Sequence, residues 1–323
     1  MNSFKLMAIM ALGSLVFVSC SDDDDDDMGP QMKTIAQIAA ETPRFSILSE
    51  ALERTELDDV LNGTDEYTVF APNNDAFADL LDALDVESLD ELIVAVGGED
   101  ALANILLYHV LAGEVKAADV TTGFVSTAGV YNGMAGAGLS AYISVGSTVR
   151  LNDASEVIAT DIDASNGVIH EISAVILPLN LVELVTLSPD HTTLLAAVGA
   201  ADPAVAARLA SETDVTTLFA PVNAAFGDLL NDLMLGSLAD LVGAIGVDGL
   251  TSVLLYHTVD GNIRSSMVST GPVPTLEGST FDLNAEALTI MDNNMTTANL
   301  NADALDIQGT NGVIHVIDAV IRP

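Results

Sequence analysis

A fourteen-residue phrase occurs twice in the chain, and this repetition limits the folds that the sequence can adopt. Residues 67–80 read Tyr-Thr-Val-Phe-Ala-Pro-Asn-Asn-Asp-Ala-Phe-Ala-Asp-Leu, and residues 216–229 repeat nine of those fourteen residues. Two further landmarks recur in the same order, namely Leu-Leu-Tyr-His at 106–109 and 254–257 and Asn-Gly-Val-Ile-His at 166–170 and 311–315. The paired landmarks are separated by 149, 148 and 145 residues. A solenoid unit has only about 20–50 residues, whereas this separation matches a whole domain, so the sequence predicts two tandem copies of one domain.

Each copy of the phrase predicts a strand, a tight turn and a helix. The run at 68–70 is β-branched and aromatic, which favours a strand. Pro72 keeps the residue before it out of the helical region. Asn74 and Asn223 stand where a side-chain oxygen is expected to cap the helix that follows. That helix has one apolar face, formed in the first copy by residues 77, 80, 81 and 84.

Helical patterns come early in each repeat and strand patterns come late. The last strand of the first repeat is predicted at 167–177, closed by Pro178, and its nearly continuous apolar run favours burial at the centre of a sheet. This order predicts an α+β domain with sheets packed face to face and helices along one side. Apolar residues make up 50% of the 323 residues, which is enough for two cores.

The first 19 residues have the pattern of a secretory signal peptide. Lys5 precedes an apolar stretch at 6–18, which is too short to span a bilayer. Cys20 is the only cysteine and follows a small residue, an arrangement that resembles a bacterial lipoprotein cleavage box with Phe17 in place of the usual leucine. We therefore predict a signal peptide at 1–19 and lipidation of Cys20. The alternative is an ordinary signal peptide with an incidental cysteine.

Residues 20–33 are predicted to form an acidic tether behind the lipidated cysteine. Six consecutive aspartates at 22–27 repel one another and favour an extended, solvated segment. The composition is similar to the export signal of some Bacteroidota lipoproteins, which directs them to the outer face of the outer membrane. The resemblance implies an exported, surface-exposed outer-membrane lipoprotein that meets the membrane only through its lipid. A plain acidic spacer is the alternative.

The charge of the chain excludes one class of partner. Its 47 acidic and nine basic residues give a formal net charge of −38. Nucleic acid is excluded because it requires a basic surface. Anionic polysaccharides and lipid head groups are disfavoured unless divalent cations form bridges, so calcium-assisted contact is a hypothesis and no other cofactor is expected.

With all three landmarks in place, both repeats resemble the fasciclin-like domain family. The family phrase Thr-x-Phe-Ala-Pro-x-x-x-Ala-Phe stands at 68–77 and 217–226. The second signature, Asn-Gly-Val-Ile-His-x-Ile-Asp, is complete at 311–318, whereas Ser173 replaces the aspartate in the first repeat. The resemblance covers 34–178 and 181–323, which we take as domains 1 and 2. The signature positions are Phe70, Pro72, Phe77, Asn166, His170, Phe219, Pro221, Phe226, Asn311, His315 and Asp318.

The resemblance implies that each domain is a wedge-like β-sandwich with helices along one edge, used for adhesion outside the cell. In animal members the Tyr-His region is associated with receptor binding. Carried onto this chain, that role makes Tyr108, His109, Tyr256 and His257, with the loops that follow them, the candidate partner contacts.

The four histidines shared by the repeats offer the only tempting chemistry. One pair per domain (His109 with His170, His257 with His315) could bind a metal or act in acid–base catalysis. Each histidine lies in an apolar run, however, which favours a hydrogen-bonded core residue, with Asp318 as a candidate partner of His315. His191 has no counterpart and is interpreted as incidental.

No catalytic motif emerges from the sequence. It contains no Gly-x-Ser-x-Gly, no His-Glu-x-x-His and no phosphate loop, so we expect no enzyme, although an unmarked pair of carboxylates stays open. The sequence therefore predicts a surface-anchored lipoprotein that mediates adhesion to an extracellular protein or polysaccharide. The alternative is an envelope protein that binds a small ligand or polysaccharide, which would have a pocket with a few convergent polar groups.

Overall fold

The computed structural model describes residues 32–134 and 136–323. The predicted signal peptide, Cys20 and the aspartate run lie outside these described residues. Residues 32–323 form one compact unit, which contains two copies of one α+β domain.

Domain 1 places most of its helices before most of its strands. Its helices are α1 (Ile35–Glu41), α2 (Ser46–Arg54), α3 (Leu57–Leu61), α4 (Asn74–Ala83), α5 (Leu89–Val96) and α6 (Glu99–Leu107). Its strands are β1 (Tyr67–Pro72), β2 (Val110–Ala112), β3 (Gly123–Val130), β4 (Gly138–Val145), β5 (Val149–Leu151), β6 (Ser155–Ala164) and β7 (Gly167–Ile172).

Domain 2 repeats this order. Its helices are α7 (Leu181–Leu187), α8 (Thr192–Ala200), α9 (Pro203–Ala210), α10 (Asn223–Asp232) and α11 (Leu238–Tyr256). Its strands are β8 (Thr216–Pro221), β9 (Thr258–Asp260), β10 (Gly271–Pro274), β11 (Thr280–Asn284), β12 (Thr289–Met291), β13 (Thr297–Asn299), β14 (Ile307–Gly309) and β15 (Gly312–Ile317).

The strands of domain 1 form one sheet in the order β2-β1-β7-β6-β5-β4-β3. Only β1 and β7 pair in parallel, and the register of β6 shifts twice along its pairing with β7. Domain 2 instead has two sheets, β14-β15-β8-β9 and β10-β11-β12-β13. The long strand β6 is thus divided into β13 and β14, with a short 3₁₀ helix at Ala302–Ala304 between them.

The central parallel strands contribute to two cores in each domain. Val69 packs into the helix-side core and Phe70 packs into the core between the sheet layers, because successive side chains of a strand point to opposite faces. Leu218 and Phe219 of β8 repeat this division. Burial on both faces explains why these strands are almost continuously apolar.

A buried asparagine joins the helices of each domain to its central strand. Asn166 Oδ1 accepts a hydrogen bond from the Ile35 amide (2.9 Å), and its Nδ2 donates to the carbonyls of Leu61 (2.7 Å) and Gly63 (3.1 Å). The side chain therefore satisfies a free amide at the start of α1 and carbonyls at the end of α3.

The second domain contains the same connection. Asn311 accepts from the amide of Leu181 (3.0 Å) and donates to the carbonyls of Leu209 (2.8 Å) and Ser211 (2.9 Å). The repeated asparagine is therefore a structural connector in both domains.

The prediction that Asn74 and Asn223 cap the helix that follows each of them is wrong. Each side chain instead accepts a hydrogen bond from the first turn of an earlier helix. Asn73 caps α4, whereas Asn74 Oδ1 accepts from the Ile47 amide in the first turn of α2 (3.1 Å). Asn223 Oδ1 accepts from the Thr193 amide in the first turn of α8 (2.8 Å). Both asparagines therefore connect the phrase to a helix distant in sequence.

One element boundary also differs from the prediction. The last strand of domain 1 is fully buried and central as predicted, but it ends at Ile172 and not at residue 177.

In domain 2 a single helix, α11, replaces α5 and α6. It has the length and apolar composition of a membrane-crossing helix. However, Gly246 breaks it (φ 74°, ψ 171°) at the position of Gly98, so its halves correspond to α5 and α6.

The domains contact each other through β3 and β4 of domain 1 and the edge strand β14 of domain 2. The Gln308 amide donates a buried hydrogen bond to Ser140 Oγ (2.9 Å). Phe124 packs against the helix-side core of domain 2, and Val215 packs against the sheet core of domain 1.

Replacing Gly312 with alanine should strongly destabilise domain 2. Gly312 has a φ of +154°, and a Cβ atom there would lie 1.8 Å from the Thr216 carbonyl oxygen, so β8 and β15 would have to separate. We expect the free energy of unfolding, measured by urea denaturation, to fall by about 3 kcal/mol or more.

Gly199→Ala is the matched control. This exposed glycine lies in α8, and its Cβ would meet no atom within 4 Å. Alanine there should leave stability unchanged or raise it by up to about 1 kcal/mol. Equal losses in the two variants would contradict the steric argument.

Candidate functional site

The Tyr-His pairs, predicted as partner contacts, lie in the cores of their domains. Tyr108 and Tyr256 are 1% and 0% exposed at the ends of α6 and α11. Their hydroxyls donate to the carbonyls of Ser140 (2.8 Å) and Thr280 (3.0 Å). Tyr108 thereby joins α6 to β4, and Tyr256 joins α11 to β11 of the second sheet of domain 2.

The adjacent histidines use both ring nitrogens in contacts with the main chain. His109 Nδ1 donates to the Ile105 carbonyl (2.8 Å), and its Nε2 accepts from the Ile176 amide (3.0 Å). His257 makes the same bonds to Val253 (2.7 Å) and Ile321 (3.1 Å). Because one nitrogen must donate and the other must accept, the ring is neutral.

Burial lowers the pKa of His109 and of His257 to about 4, although the hydrogen bond to a carbonyl opposes this shift. Both rings are therefore uncharged at neutral pH. With neither nitrogen free, they are unsuited to metal binding or proton transfer.

The other two shared histidines, His170 and His315, also use both ring nitrogens in hydrogen bonds to the main chain. His170 Nε2 donates to the Val115 carbonyl (2.9 Å), and its Nδ1 accepts from the Asp161 amide (3.2 Å). His315 makes the equivalent bonds to Ile263 (2.8 Å) and Asp306 (3.3 Å). Burial also lowers the pKa of His315.

The predicted pairing of His315 with Asp318 is wrong. Asp318 binds the amide and side chain of Asn299 (2.6 and 2.7 Å), and so links β13 to the end of β15. Ser173 takes its place in domain 1, where its Oγ accepts from the Glu156 amide (3.0 Å). The two residues therefore link strands and do not contact the histidines.

The remaining signature residues support the central strands. Phe70 and Phe219 lie against His170 and His315, with ring centroids 5.6 and 5.5 Å apart.

Among residues 32–134 and 136–323, no group of three or more His, Cys, Asp or Glu side chains is arranged to hold a metal ion.

A cleft of about 450 Å³ lies between the two domains. Domain 1 lines it with the ends of β3 and β4, including Phe124 and Tyr142, and domain 2 contributes residues 188–191 and 301–307. The rings of Phe124 and Tyr142 meet edge to face, with centroids 4.9 Å apart. Burial, followed by the nearby carboxylates of Asp190 and Asp153, raises the pKa of Tyr142.

His191 lies in the wall of this cleft. It is 4% exposed, and its Nδ1 contacts Ser188 Oγ (2.8 Å). Its Nε2 is buried and has no hydrogen-bond partner among the described residues. Burial lowers its pKa. The sequence indicates no role for His191 because it has no counterpart in domain 1, whereas in the structure it lines the cleft.

Sequence reasoning missed the cleft because its residues are those at which the two repeats differ. The signal was present in the alignment of the repeats, where Asp190 replaces Arg44 and Val316 replaces Glu171. Without the contact between domains, however, nothing in the sequence brings these positions close to Tyr142.

Comparison with known proteins finds the fasciclin domain twice, at residues 43–178 and 189–323. Protein sll1483 of Synechocystis sp. is 43% identical over 145 residues, which cover 45% of this chain and 73% of that protein. Transforming growth factor-beta-induced protein ig-h3 of Sus scrofa is 29% identical over 277 residues, which cover 84% of this chain and 37% of that protein.

A solved structure has the same fold. It is a FAS1 domain pair from the insect cell adhesion molecule fasciclin I, with a TM-score of 0.52 and 19% sequence identity. The match covers 85% of this chain and 96% of that one. At this level of identity, the likeness shows the arrangement of two domains with mixed helices and sheets.

His257→Gln should lower the stability of domain 2 in a pH-dependent way. The pKa of His257 is about 4 in the folded protein and 6.5 by ordinary value, so its contribution to stability is complete above pH 6.5 and is lost as pH falls through 4. At pH 7 we expect urea denaturation to show a loss of about 2–4 kcal/mol relative to wild type. That difference should narrow by up to about 3 kcal/mol by pH 4.

Tyr256→Phe is the control for this titration. It removes the neighbouring hydrogen bond to Thr280 without removing a group that titrates between pH 4 and 7. Its deficit should therefore be constant over that range. A deficit for His257→Gln that is also constant would show that the ring is not held neutral by the fold.

Proposed function

The chain belongs to the fasciclin family, and we propose that it is an exported lipoprotein, anchored at the cell surface through Cys20, that mediates adhesion. Fasciclin domains are generally linked to cell adhesion and to interaction with extracellular matrix. The proposed partner is an extracellular protein or polysaccharide, and the proposed contact with the membrane is made by the lipid alone.

This proposal rests on one observation: the polar residues shared by the two repeats lie inside both domains, where they hydrogen-bond to the main chain. The Tyr-His pairs, together with His170 and His315, make main-chain hydrogen bonds in each copy. These side chains stabilise the fold and have no free polar atom for a reaction, which favours a binding role over catalysis. The surface available to a partner is then formed by loops and strand edges.

We place the partner contact on the loops that follow the Tyr-His pairs, at about 113–122 and 261–270. His170 and His315 hold these loops through the carbonyls of Val115 and Ile263. In domain 2 the loop presents Met267, which is 59% exposed, beside a groove of about 340 Å³ that Pro272 and Val273 also line. An apolar surface of this kind supports contact with a protein or with the apolar face of a sugar.

The acidic tether supports surface exposure. Its repelling aspartates favour an extended segment that holds the domains away from the membrane. Calcium would serve as a bridge to an anionic partner, given the net charge of −38. Addition of a chelator in the adhesion assay below separates calcium-dependent contact from direct contact.

The anchor is tested by treating intact cells with protease. Wild-type protein should sediment with membranes and be digested in intact cells, whereas Cys20→Ala should leave the membrane fraction because it lacks the lipid. Met234→Ser, which keeps the cysteine and the whole tether, is the control and should behave as wild type. Digestion only after the outer membrane is permeabilised would place the domains in the periplasm and overturn the surface role.

The contact surface is tested by replacing two exposed methionines, one inside and one outside the proposed contact loops. Met267→Ser should reduce attachment of cells to immobilised matrix severalfold, because it removes apolar surface from the proposed contact loop. Met234→Ser is the control, since Met234 is 92% exposed at the end of α10, outside both proposed loops. Equal attachment by both variants would exclude the loop as the contact.

A further inference from the structure

We propose that Asn132 is a site of spontaneous covalent modification, at which the side-chain amide is lost and aspartate or isoaspartate is formed. The chain contains four Asn-Gly pairs, at 62–63, 132–133, 166–167 and 311–312. Because glycine has no Cβ atom, its main-chain nitrogen can attack the preceding side chain with little hindrance. The fold restrains three of these pairs and leaves the pair at 132–133 able to react.

The reaction requires only the chain and water. The Gly133 nitrogen loses its proton to a base in solution and forms a bond to Cγ of Asn132. The Cγ–Nδ2 bond breaks, and the amide nitrogen takes a proton from solvent and leaves as ammonia. Water then opens the succinimide ring at either carbonyl, which gives aspartate or isoaspartate. Both products add a negative charge, and isoaspartate also lengthens the main chain.

Asn132 lies in the turn between β3 and β4, within a short 3₁₀ segment at Tyr131–Gly133. Asn132 and Gly133 are both exposed, and the Asn132 side chain makes no hydrogen bond to the described residues. A Cβ atom placed on Gly133 would meet no atom within 4 Å, so the space beside the attacking residue is open.

The reaction needs a rotation about the Cα–C bond of Asn132. Its φ of 45° and ψ of 37° direct the Gly133 nitrogen away from the side chain. Asparagine tolerates this left-handed conformation, but other backbone conformations are less strained for a residue with a Cβ atom. The rotation gives up the hydrogen bond from the Met134 amide to the Tyr131 carbonyl (2.8 Å), which water can replace at the surface.

The fold blocks the same rotation at Asn166 and Asn311. Both side chains are buried, and each makes three hydrogen bonds to main-chain groups. The glycine that follows each of them pairs in parallel with the neighbouring strand and has no room beside it. These two asparagines can therefore react only when their domain opens.

Asn62 is exposed but is held by its neighbours. Its Oδ1 accepts from Thr34 Oγ1 (2.6 Å), and the Gly63 amide donates to the Val60 carbonyl (3.1 Å). The Gly63 carbonyl in turn accepts from the buried Asn166 side chain (3.1 Å). Because rotation at Asn62 would break this connection, we expect Asn62 to react more slowly than Asn132.

Peptide mapping compares the four pairs within one sample. The purified protein is incubated at mildly alkaline pH, either folded or unfolded in guanidinium chloride, and mass spectrometry follows the conversion of each amide to a carboxyl group. In the unfolded chain the four asparagines should react at similar rates, because each precedes glycine. In the folded protein Asn132 should react within about tenfold of its unfolded rate, whereas Asn166 and Asn311 should be slowed by more than about a hundredfold.

Two variants assign the modified species. Glutamine has one more methylene group than asparagine, which disfavours closure of the ring. Asn132→Gln should therefore remove the earliest acidic species that ion-exchange chromatography detects in the aged folded protein. Asn62→Gln makes the same change at another exposed Asn-Gly pair and should retain that species.

The proposal is overturned if Asn132 is not the first of the four asparagines to react in the folded protein. It is also overturned if folding slows Asn132 as much as Asn166, or if Asn132→Gln still forms the earliest acidic species. These measurements depend neither on the lipid nor on a binding partner, so they give the same answer whether or not the protein mediates adhesion.

Discussion

A single buried asparagine in each domain holds together elements that no local interaction would bring into contact. Asn166 and Asn311 each bind the start of one helix and the carbonyls after another, and the glycine that follows lies against the neighbouring strand. A Cβ atom at Gly167 would lie 1.9 Å from the Tyr67 carbonyl oxygen, so only glycine permits the parallel pairing of β1 with β7. The recurrence of the Asn-Gly pair therefore has a packing cause. The parallel pair in turn separates the two cores, because its side chains alternate between the helices and the second half of the sheet.

Much of this architecture could be predicted from the sequence because the same local rules apply twice. The repeated landmarks predicted two α+β domains, and the apolar run after Gly167 predicted a buried central strand. The contacts of the polar residues could not be predicted in this way. Asn74 has the position of a helix cap in the sequence, but its side chain reaches α2, 27 residues away. Asp318 lies near His315 in the chain, but the alternation of strand residues directs it towards Asn299. Proximity in sequence is a poor guide to hydrogen-bond partners whenever a strand or turn intervenes.

The interface between the domains depends on positions where the repeats have diverged. Phe124 pairs with Tyr142 across β3 and β4, and the equivalent pair in domain 2 is Pro272 with Asp282. Proline and an exposed charge discourage further contact at a strand edge. Domain 1 therefore presents an aromatic surface that domain 2 covers, whereas the corresponding surface of domain 2 is protected. The same fold used twice thus gives one interface, since only one copy has the residues to form it.

This division between shared and divergent residues bears on where function lies in a repeated protein. The histidines common to both domains are neutral and bonded on both nitrogens, so their recurrence reflects the requirements of the fold. The exchange of Arg44 and Glu171 for Asp190 and Val316 has no such requirement behind it. It removes a nearly buried carboxylate together with its cation, and the exposed Asp190 and the buried Val316 line the cleft near Tyr142 of the other domain. Replacing a nearly buried ion pair with a buried valine and an exposed carboxylate leaves no buried charge without a partner, so the exchange need not lower stability. The positions at which the repeats differ, and not the recurring histidines, are therefore the ones that the fold leaves free to vary.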